Sequence, residues 1–393
     1  MPKFFATCAG ALEPILKREV DALEGVKNVE IGRGGVSFDG PPEMVYKASL
    51  WLRTAVRILQ PILDVEVFSP DDLYDAVRTI NWQNYLTPQH TLAVDCNVRD
   101  SAITHSLFAS LRTKDAICDQ FIDRIGIRPS VDADNPMVGL NLHIYRNRAI
   151  LSLDASWDSL HKRGYRPILV RAPLNEALAA AIILGSGWDR KTPFLDPMCG
   201  SAVLPIEASW IALNRPPGLT RRHFAFQGWM DFNIGKWAQI RDDAREAMKT
   251  VLPAPISGSD IRRDAVEFAR TNSKSAGVGH LLGFEQKDIR QVRLDDIEPG
   301  TIIMNPPYGE RIGEEEDLRP TYEAIGDFIR GPAAEWKVLV FTGNPEMLQH
   351  IGPQRNKVIH LRNGPINCRL GFYAKAGLPD AASGGGREAE AVE

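Results

Sequence analysis

Four short strand-type segments in the second half of the chain each break off at an acidic residue or an asparagine. Residues 192–196 end in Asp196, 256–260 in Asp260 and 281–288 in Asp288, while 301–304 run straight into Asn305. The last of them, Thr301 to Met304, is an apolar run bounded by breakers, which predicts a buried strand of a parallel sheet. Helix-period segments at 173–183, from Ala202 onward and at 262–276 alternate with them, and 336–342 supplies a fifth strand. Residues 358–362 and 369–374 predict a closing antiparallel pair. Such alternation folds as a doubly wound α/β sheet. Ligands of these sheets collect beyond the carboxyl ends of the strands, where the four polar residues stand.

The last run carries the most specific chemistry, in Asn305-Pro306-Pro307-Tyr308. The exocyclic amino nitrogen of a base or amide is a poor nucleophile, because its lone pair is delocalised. The Asn305 carboxamide oxygen and the Pro306 carbonyl can each accept one N–H of such a group. Held this way, the nitrogen is pushed toward tetrahedral geometry and its lone pair aims at an electrophile. The prolines restrict their own φ and the residues before them, so both acceptors are fixed in place. Tyr308 offers an aromatic face for a planar substrate, with stacking worth about 1–3 kcal/mol per base. No strong base is required, since the proton becomes acidic only after alkylation. Taken alone, the tetrapeptide also suits a plain turn after a strand, and the three acidic strand ends before it weigh toward a ligand site.

Asn305-Pro306-Pro307-Tyr308 resembles motif IV of the S-adenosylmethionine-dependent amino-group methyltransferases. Extended through Gly309-Glu310-Arg311, it resembles the RNA guanine-N2 methyltransferases, the family of the bacterial large-subunit rRNA enzyme RlmL and its YpsC-like relatives. The resemblance implies an α/β fold: a class I (Rossmann-like) methyltransferase domain preceded by ferredoxin-like and THUMP α+β modules. It also implies S-adenosyl-L-methionine as cofactor, with Asn305, Pro306 and Tyr308 as catalytic residues. Residues 194–201 then read as strand, tight turn and helix start, where Gly200 lets a ligand approach the backbone and the helix end offers N–H groups. Asp196 is expected to meet the cationic methionine end, Asp260 the ribose hydroxyls and Asp288 the adenine amino group. Cys199, Ser201, Asn305 and Pro173 complete the expected cofactor site. Glu310 and Arg311 are expected to hold the loop by ion pairs. The chain departs from the family in one place: Asp-Pro-x-Cys-Gly-Ser is usually followed by Gly-Thr, and here by Ala202-Val203. A nicotinamide cofactor is disfavoured, since no Gly-x-Gly-x-x-Gly phosphate cradle is present.

Upstream, residues 1–64 show the rhythm of a ferredoxin-like module. Strands are predicted at 4–8 and 53–63, helices at 12–23 and 43–50, and a hairpin at 29–38 around Arg33-Gly34-Gly35. Residues 65–155 predict helices at 70–80 and 106–125 and strands at 91–97, 138–145 and 149–154. Within them Lys114-Asp115-Ala116-Ile117-Cys118-Asp119, Arg128-Pro129 and Leu151 to Asp154 are similar to the THUMP domain, which implies binding of structured RNA. A basic linker, 156–171, contains His161-Lys162-Arg163-Gly164-Tyr165-Arg166 with no acidic residue between Leu160 and Asn175. Cations interleaved with an aromatic suit phosphate and base contacts. Lys162, Arg163, Tyr165 and Arg166 therefore join Lys114 as expected RNA contacts. The methyltransferase domain is expected at 172–378, followed by a Gly/Ala/Glu-rich disordered tail at 379–393. Residues 214–237 form an insertion rich in Pro, Arg and aromatics, which either packs over the sheet edge or guides a nucleotide.

A formal charge of −4, from 46 Lys+Arg against 50 Asp+Glu, excludes a general polycation but leaves room for a local basic face. Five scattered cysteines without a Cys-x-x-Cys argue against a disulfide framework or a metal site, and for a reducing cytoplasm. No apolar run reaches the roughly 18 residues of a membrane span, so no membrane partner is expected. The expected activity is methylation of guanine N2 in RNA, with 23S rRNA or a large-subunit precursor as partner. A tRNA enzyme of the same architecture is the nearest alternative. The same chemistry on DNA adenine or protein glutamine, and a non-catalytic RNA-binding or assembly factor that keeps the fold, are the others.

Overall fold

Alternating buried and open positions in the first half of the chain form strands β1 (Lys3–Thr7), β2 (Lys27–Gly32), β3 (Gly35–Asp39), β4 (Arg57–Glu66), β5 (Thr91–Arg99), β6 (Ser130–Val131), β7 (Val138–Tyr145) and β8 (Arg148–Asp154). Between them run helices α1 (Glu13–Asp21), α2 (Met44–Trp51), α3 (Pro70–Arg78) and α4 (Ser106–Ile125). The second half gives α5 (Glu176–Gly185), β9 (Phe194–Asp196), α6 (Val203–Ala212), α7 (Ile234–Glu246), β10 (Ile256–Asp260), α8 (Arg263–Ser275) and β11 (Leu282–Gln286). It closes with β12 (Thr301–Met304), α9 (Glu315–Arg330), β13 (Lys337–Thr342), β14 (Lys357–Asn363) and β15 (Ile366–Tyr373). This computed structural model describes residues 1–167, 174–308, 315–352 and 355–373. The tail at 379–393 lies outside them. Two units emerge, one of Met1–Arg163 with Pro216–Ala247, the other of Gly164–Arg215 with the chain from Met248.

In the first unit all eight strands join one sheet, in the order β2-β3-β1-β4-β8-β7-β5-β6. The first four follow the ferredoxin-like arrangement. β4 runs across residue 64, pairing with β1 at its start and with β8 along the rest, through an irregularity between Pro61 and Leu63. The ferredoxin-like and THUMP parts thus share a strand and a hydrophobic core. Local chemistry sets the helix ends. Ser69 caps α3 by accepting the Asp72 N–H at 3.1 Å, while the Asp72 carboxylate takes the Ser69 N–H at 2.9 Å. Gly126 ends α4 at φ +82°, its N–H reaching the Ile122 carbonyl at 2.9 Å.

The segment Pro216–Ala247 interrupts the methyltransferase part of the sequence yet belongs to this first unit. Phe224, Phe226, Trp229, Trp237 and Ile240 enter the same core as Tyr46 of α2. The Tyr46 ring lies 4.8 Å from Phe226 and 6.0 Å from Trp237, and its hydroxyl accepts the Asn233 N–H at 3.0 Å. Gly228 meets the Met137 backbone so closely that a Cβ would sit 2.1 Å from its carbonyl oxygen. The insertion is therefore a piece of the N-terminal core.

The second unit is built on a sheet in the order β11-β10-β9-β12-β13-β15-β14. β9 to β13 pair in parallel, and β15 runs antiparallel to both neighbours. This is the class I methyltransferase arrangement that the strand tally implied. Ile302 and Met304 of β12 join Val338 and Val340 of β13 beneath Tyr322, Ile325 and Phe328 of α9. Parallel pairing brings the carboxyl ends of β10, β9 and β12 to one edge, with Asp260, Asp196 and Asn305 at or just past them.

Replacing Trp237 with Ala should cost the N-terminal unit about 3–5 kcal/mol in chemical denaturation, as expected for a buried tryptophan. A loss below about 1 kcal/mol would instead make the inserted segment a surface addition.

Candidate active site

The turn after β9 is held from the next strand. Cys199 donates its N–H to the Ser259 carbonyl at 2.8 Å, and Gly200 donates to the Asp260 carboxylate at 2.9 Å. Gly258 on β10 leaves the room this needs, since a Cβ there would lie 2.8 Å from the Cys199 Cβ. Cys199 is thus a packing residue, its thiol pushed up by burial and then by Asp196 and Asp260. Gly200 has φ +50°, and a Cβ built on it would meet nothing within 4 Å, so its backbone faces open space.

Asp196 is only 2% exposed. Its carboxylate accepts the Met198 N–H at 3.1 Å, but burial, with the Asp260 charge adding to it, holds the carboxyl well above the usual carboxylate range. A cation placed beside it would relieve both effects. Asp260 accepts the Gly200 and Arg262 N–H groups, each at 2.9 Å, and a carboxylate has capacity for further donors. The Ser259 hydroxyl has no partner among the described residues. Asp288, after β11, caps a short turn by accepting the Arg290 N–H at 2.9 Å and pairs with the Arg290 guanidinium at 3.0 Å. Pro173 lies outside the described residues. Ala202 takes the left-handed conformation that the family's glycine favours, φ +67° and ψ 30°. For a non-glycine residue this costs about 1 kcal/mol, and α6 begins there without a side-chain cap.

Past β12, the Asn305 Oδ1 is buried with no hydrogen-bond partner among the described residues. An unsatisfied buried acceptor costs about 1–3 kcal/mol and marks a place for a donor. Behind the motif, the Tyr322 hydroxyl donates to the Pro307 carbonyl at 3.2 Å and lies 2.7 Å from Thr342 Oγ1. Tyr308 packs on Gly343, where a Cβ would fall 2.9 Å from its Cδ2 and Cε2 atoms. Sequence reasoning missed Tyr322, Thr342 and Gly343. A signal existed for the last two: strand 336–342 ends in Thr342-Gly343-Asn344, and β13 is the parallel neighbour of β12. Tyr322, on a helix, gave none. Gly309, Glu310 and Arg311 lie outside the described residues.

The expected RNA contacts need correction, because three of the five are buried. The Arg163 guanidinium donates to the Arg53 carbonyl at 2.6 Å and the Leu160 carbonyl at 3.3 Å. Tyr165 donates to Glu207 Oε1 at 3.1 Å and meets the Trp210 ring edge-on at 4.9 Å. Arg166 pairs with Glu176 at 3.3 Å. All three side chains are thus engaged by internal partners. Lys162 is exposed and pairs with Asp158 at 2.9 Å; Lys114, on α4, pairs with Asp115. The first part of the basic linker is also built into its unit: Arg221 donates to the Ser159 and Lys162 carbonyls at 2.8 and 3.0 Å.

Comparison with known proteins places these features in a family. Residues 163–371 match the model described as RMKL-like, methyltransferase domain; 69–154 match the THUMP domain and 3–59 the RlmL ferredoxin-like domain. The ribosomal RNA large subunit methyltransferase K/L of Syntrophotalea carbinolica is 45% identical over 378 residues, covering 94% of this chain and 53% of that protein. The chain thus spans about half the length of that curated relative. A Synechocystis protein, slr0064, provisionally named an RNA methyltransferase, is 37% identical over 374 residues, covering 94% of this chain and 96% of its own. The crystal structure of SMU.472 complexed with SAH superposes with a TM-score of 0.87 at 28% identity, covering 96% of this chain and 99% of that one. With its methyltransferase, THUMP and ferredoxin-like parts all matched, the chain belongs to the RMKL-like methyltransferase family.

Proposed function

We propose that this protein transfers a methyl group from S-adenosylmethionine to the N2 amino group of a guanine in RNA, with 23S rRNA as the substrate. The observation that carries the reading is the buried Asn305 Oδ1, without a hydrogen-bond partner among the described residues, just past a strand whose parallel neighbour ends in the buried Asp196. The residues present fit the cofactor. Gly200 faces open space, Asp196 is a buried carboxyl that a positive charge would stabilise, and Asp260 has acceptor capacity to spare. When bound, the cofactor supplies a methyl group on a sulfonium cation.

The chain's own residues do the rest by positioning. Asp196 and the Gly200 backbone hold the methionine end, and Asp260 takes the ribose hydroxyls. Asn305 Oδ1 and the Pro306 carbonyl accept the two amino hydrogens and orient the nitrogen, while Tyr308, seated on Gly343, stacks the base. A guanine within a duplex has to be flipped out to reach them. Residues 1–64 and 65–155, joined in one sheet, present the RNA, and 172–378 without the inserted segment carry the chemistry. The names of the Syntrophotalea and Synechocystis relatives support RNA as the substrate, and an rRNA target places the reaction in the cytoplasm.

The decisive assay is methyl transfer from labelled S-adenosylmethionine to RNA of a strain lacking this gene. Label is expected in N2-methylguanosine of large-subunit rRNA, and Asn305→Ala should lower the rate by about 100-fold while RNA binding persists. Label in tRNA would keep the chemistry and move the substrate; a fully active Asn305→Ala would sink the mechanism. Asp196→Asn should bind the cofactor at least about tenfold more weakly yet unfold at a higher temperature. The raised folded pKa means that ionising Asp196 disfavours the fold, so the gain should be absent near the ordinary value of 3.8 and grow as pH rises above it. Calorimetry across that range, without cofactor, checks the sign. Gly343→Ala should lower kcat about tenfold by displacing Tyr308, and an unchanged kcat would show that the ring's seat is immaterial.

A further inference from the structure

We infer that Arg166 is a positioning residue for the turn at 197–202, and through that turn for cofactor binding. The inference rests on the reading above that this turn holds S-adenosylmethionine. The Arg166 side chain is 4% exposed and reaches three acceptors on two separate stretches of the second unit. Its Nη1 donates to the Leu174 carbonyl at 2.9 Å and lies 3.3 Å from Glu176 Oε1, at the start of α5. Its Nη2 donates to the Ser201 hydroxyl at 3.3 Å. One planar guanidinium thus ties the connector after Gly164 to the first turn of α5 and to the residue following Gly200.

Ser201 is gripped from a second direction, since the buried Asn272 donates its Nδ2 to the Ser201 carbonyl at 3.1 Å. The preceding residue, Gly200, gives its N–H to Asp260 and its open side to the ligand space. A shift of Ser201 would therefore turn the Gly200 amide away from Asp260. α6 starts without a side-chain cap and with Ala202 in a strained conformation, and the Ala202 N–H on the Cys199 carbonyl at 2.7 Å closes the turn without fixing the Ser201 side chain. A fixed fork of donors suits this task, whereas a lysine offers a point charge that cannot span the three acceptors.

Two variants test the clamp, read by cofactor titration calorimetry, melting temperature and the KM for RNA. Ser201→Ala removes the acceptor and leaves the Arg166–Glu176 pair intact; Arg166→Lys keeps a charge for Glu176 and loses the fork. The expected result is a cofactor Kd raised about threefold or more by Ser201→Ala and about tenfold by Arg166→Lys, with the double variant no worse than the weaker single one. The KM for RNA should stay within about twofold of wild type in each. A cofactor Kd within about twofold of wild type for Ser201→Ala overturns the clamp, even if Arg166→Lys does not fold. A raised KM for RNA with an unchanged cofactor Kd overturns it as well, by making Arg166 an RNA contact. Absence of cofactor binding by the wild type would remove the reading of the turn itself, and the clamp with it.

Discussion

The site hangs on a bond between neighbouring strand ends, the Gly200 N–H on the Asp260 carboxylate at 2.9 Å. It forms because β9 and β10 pair in parallel with Asp196 opposite Gly258. In that register the turn after β9 leans on the end of β10, and the absence of a side chain at Gly258 lets Cys199 settle between them. The same pairing gathers like charge at one edge of the sheet. Asp196, buried beside Asp260, keeps a carboxyl that resists ionisation. A fold that tolerates such a group gives up stability at the place where a cationic ligand would restore it.

A second constraint comes from the residues behind the site. Asn305 stands out because its acceptor has no partner among the described residues, but the stretch that presents it is set by Tyr322 on Pro307, Thr342 on Tyr322 and Gly343 under Tyr308. These come from α9 and from β13 with its following turn, the elements packed against β12. The neighbouring turn is held in the same manner by Arg166 and Asn272. In both places a polar side chain grips a backbone or hydroxyl oxygen one residue away from the group proposed to meet the ligand. Such bonds fix position and leave the Asn305 and Asp260 acceptors with capacity for further donors.

The N-terminal unit solves a different problem. Two small α+β modules would each expose sheet edges, which invite pairing with other chains. Sharing β4 removes two of these edges, and the terminal strand β6 is only two residues long. The inserted segment then fills the core beside α2 with Phe226 and Trp237, so distant stretches of chain close one hydrophobic volume.

Much of the second unit was legible in the sequence because its signals are local. A short strand segment ending in Asp or in Asn-Pro-Pro announces both a strand and the polar group at its end, as at Asp196, Asp260 and Asn305. Glycine at 200 likewise signals a left-handed backbone, φ +50°, that costs glycine little. The charged residues between the units were misjudged for the opposite reason. A run such as Lys162-Arg163-Gly164-Tyr165-Arg166 reports charge but not burial, and the partners that bury it are remote: Arg163 finds the Arg53 carbonyl and Tyr165 finds Glu207. By itself, then, the sequence determined which strands form, which polar residues end them and what chemistry those residues allow, since each depends on neighbours along the chain. Only the tertiary structure decided which cations serve packing, where the insertion goes and what braces the Asn305–Tyr308 stretch, because those depend on partners that only folding brings within hydrogen-bond reach.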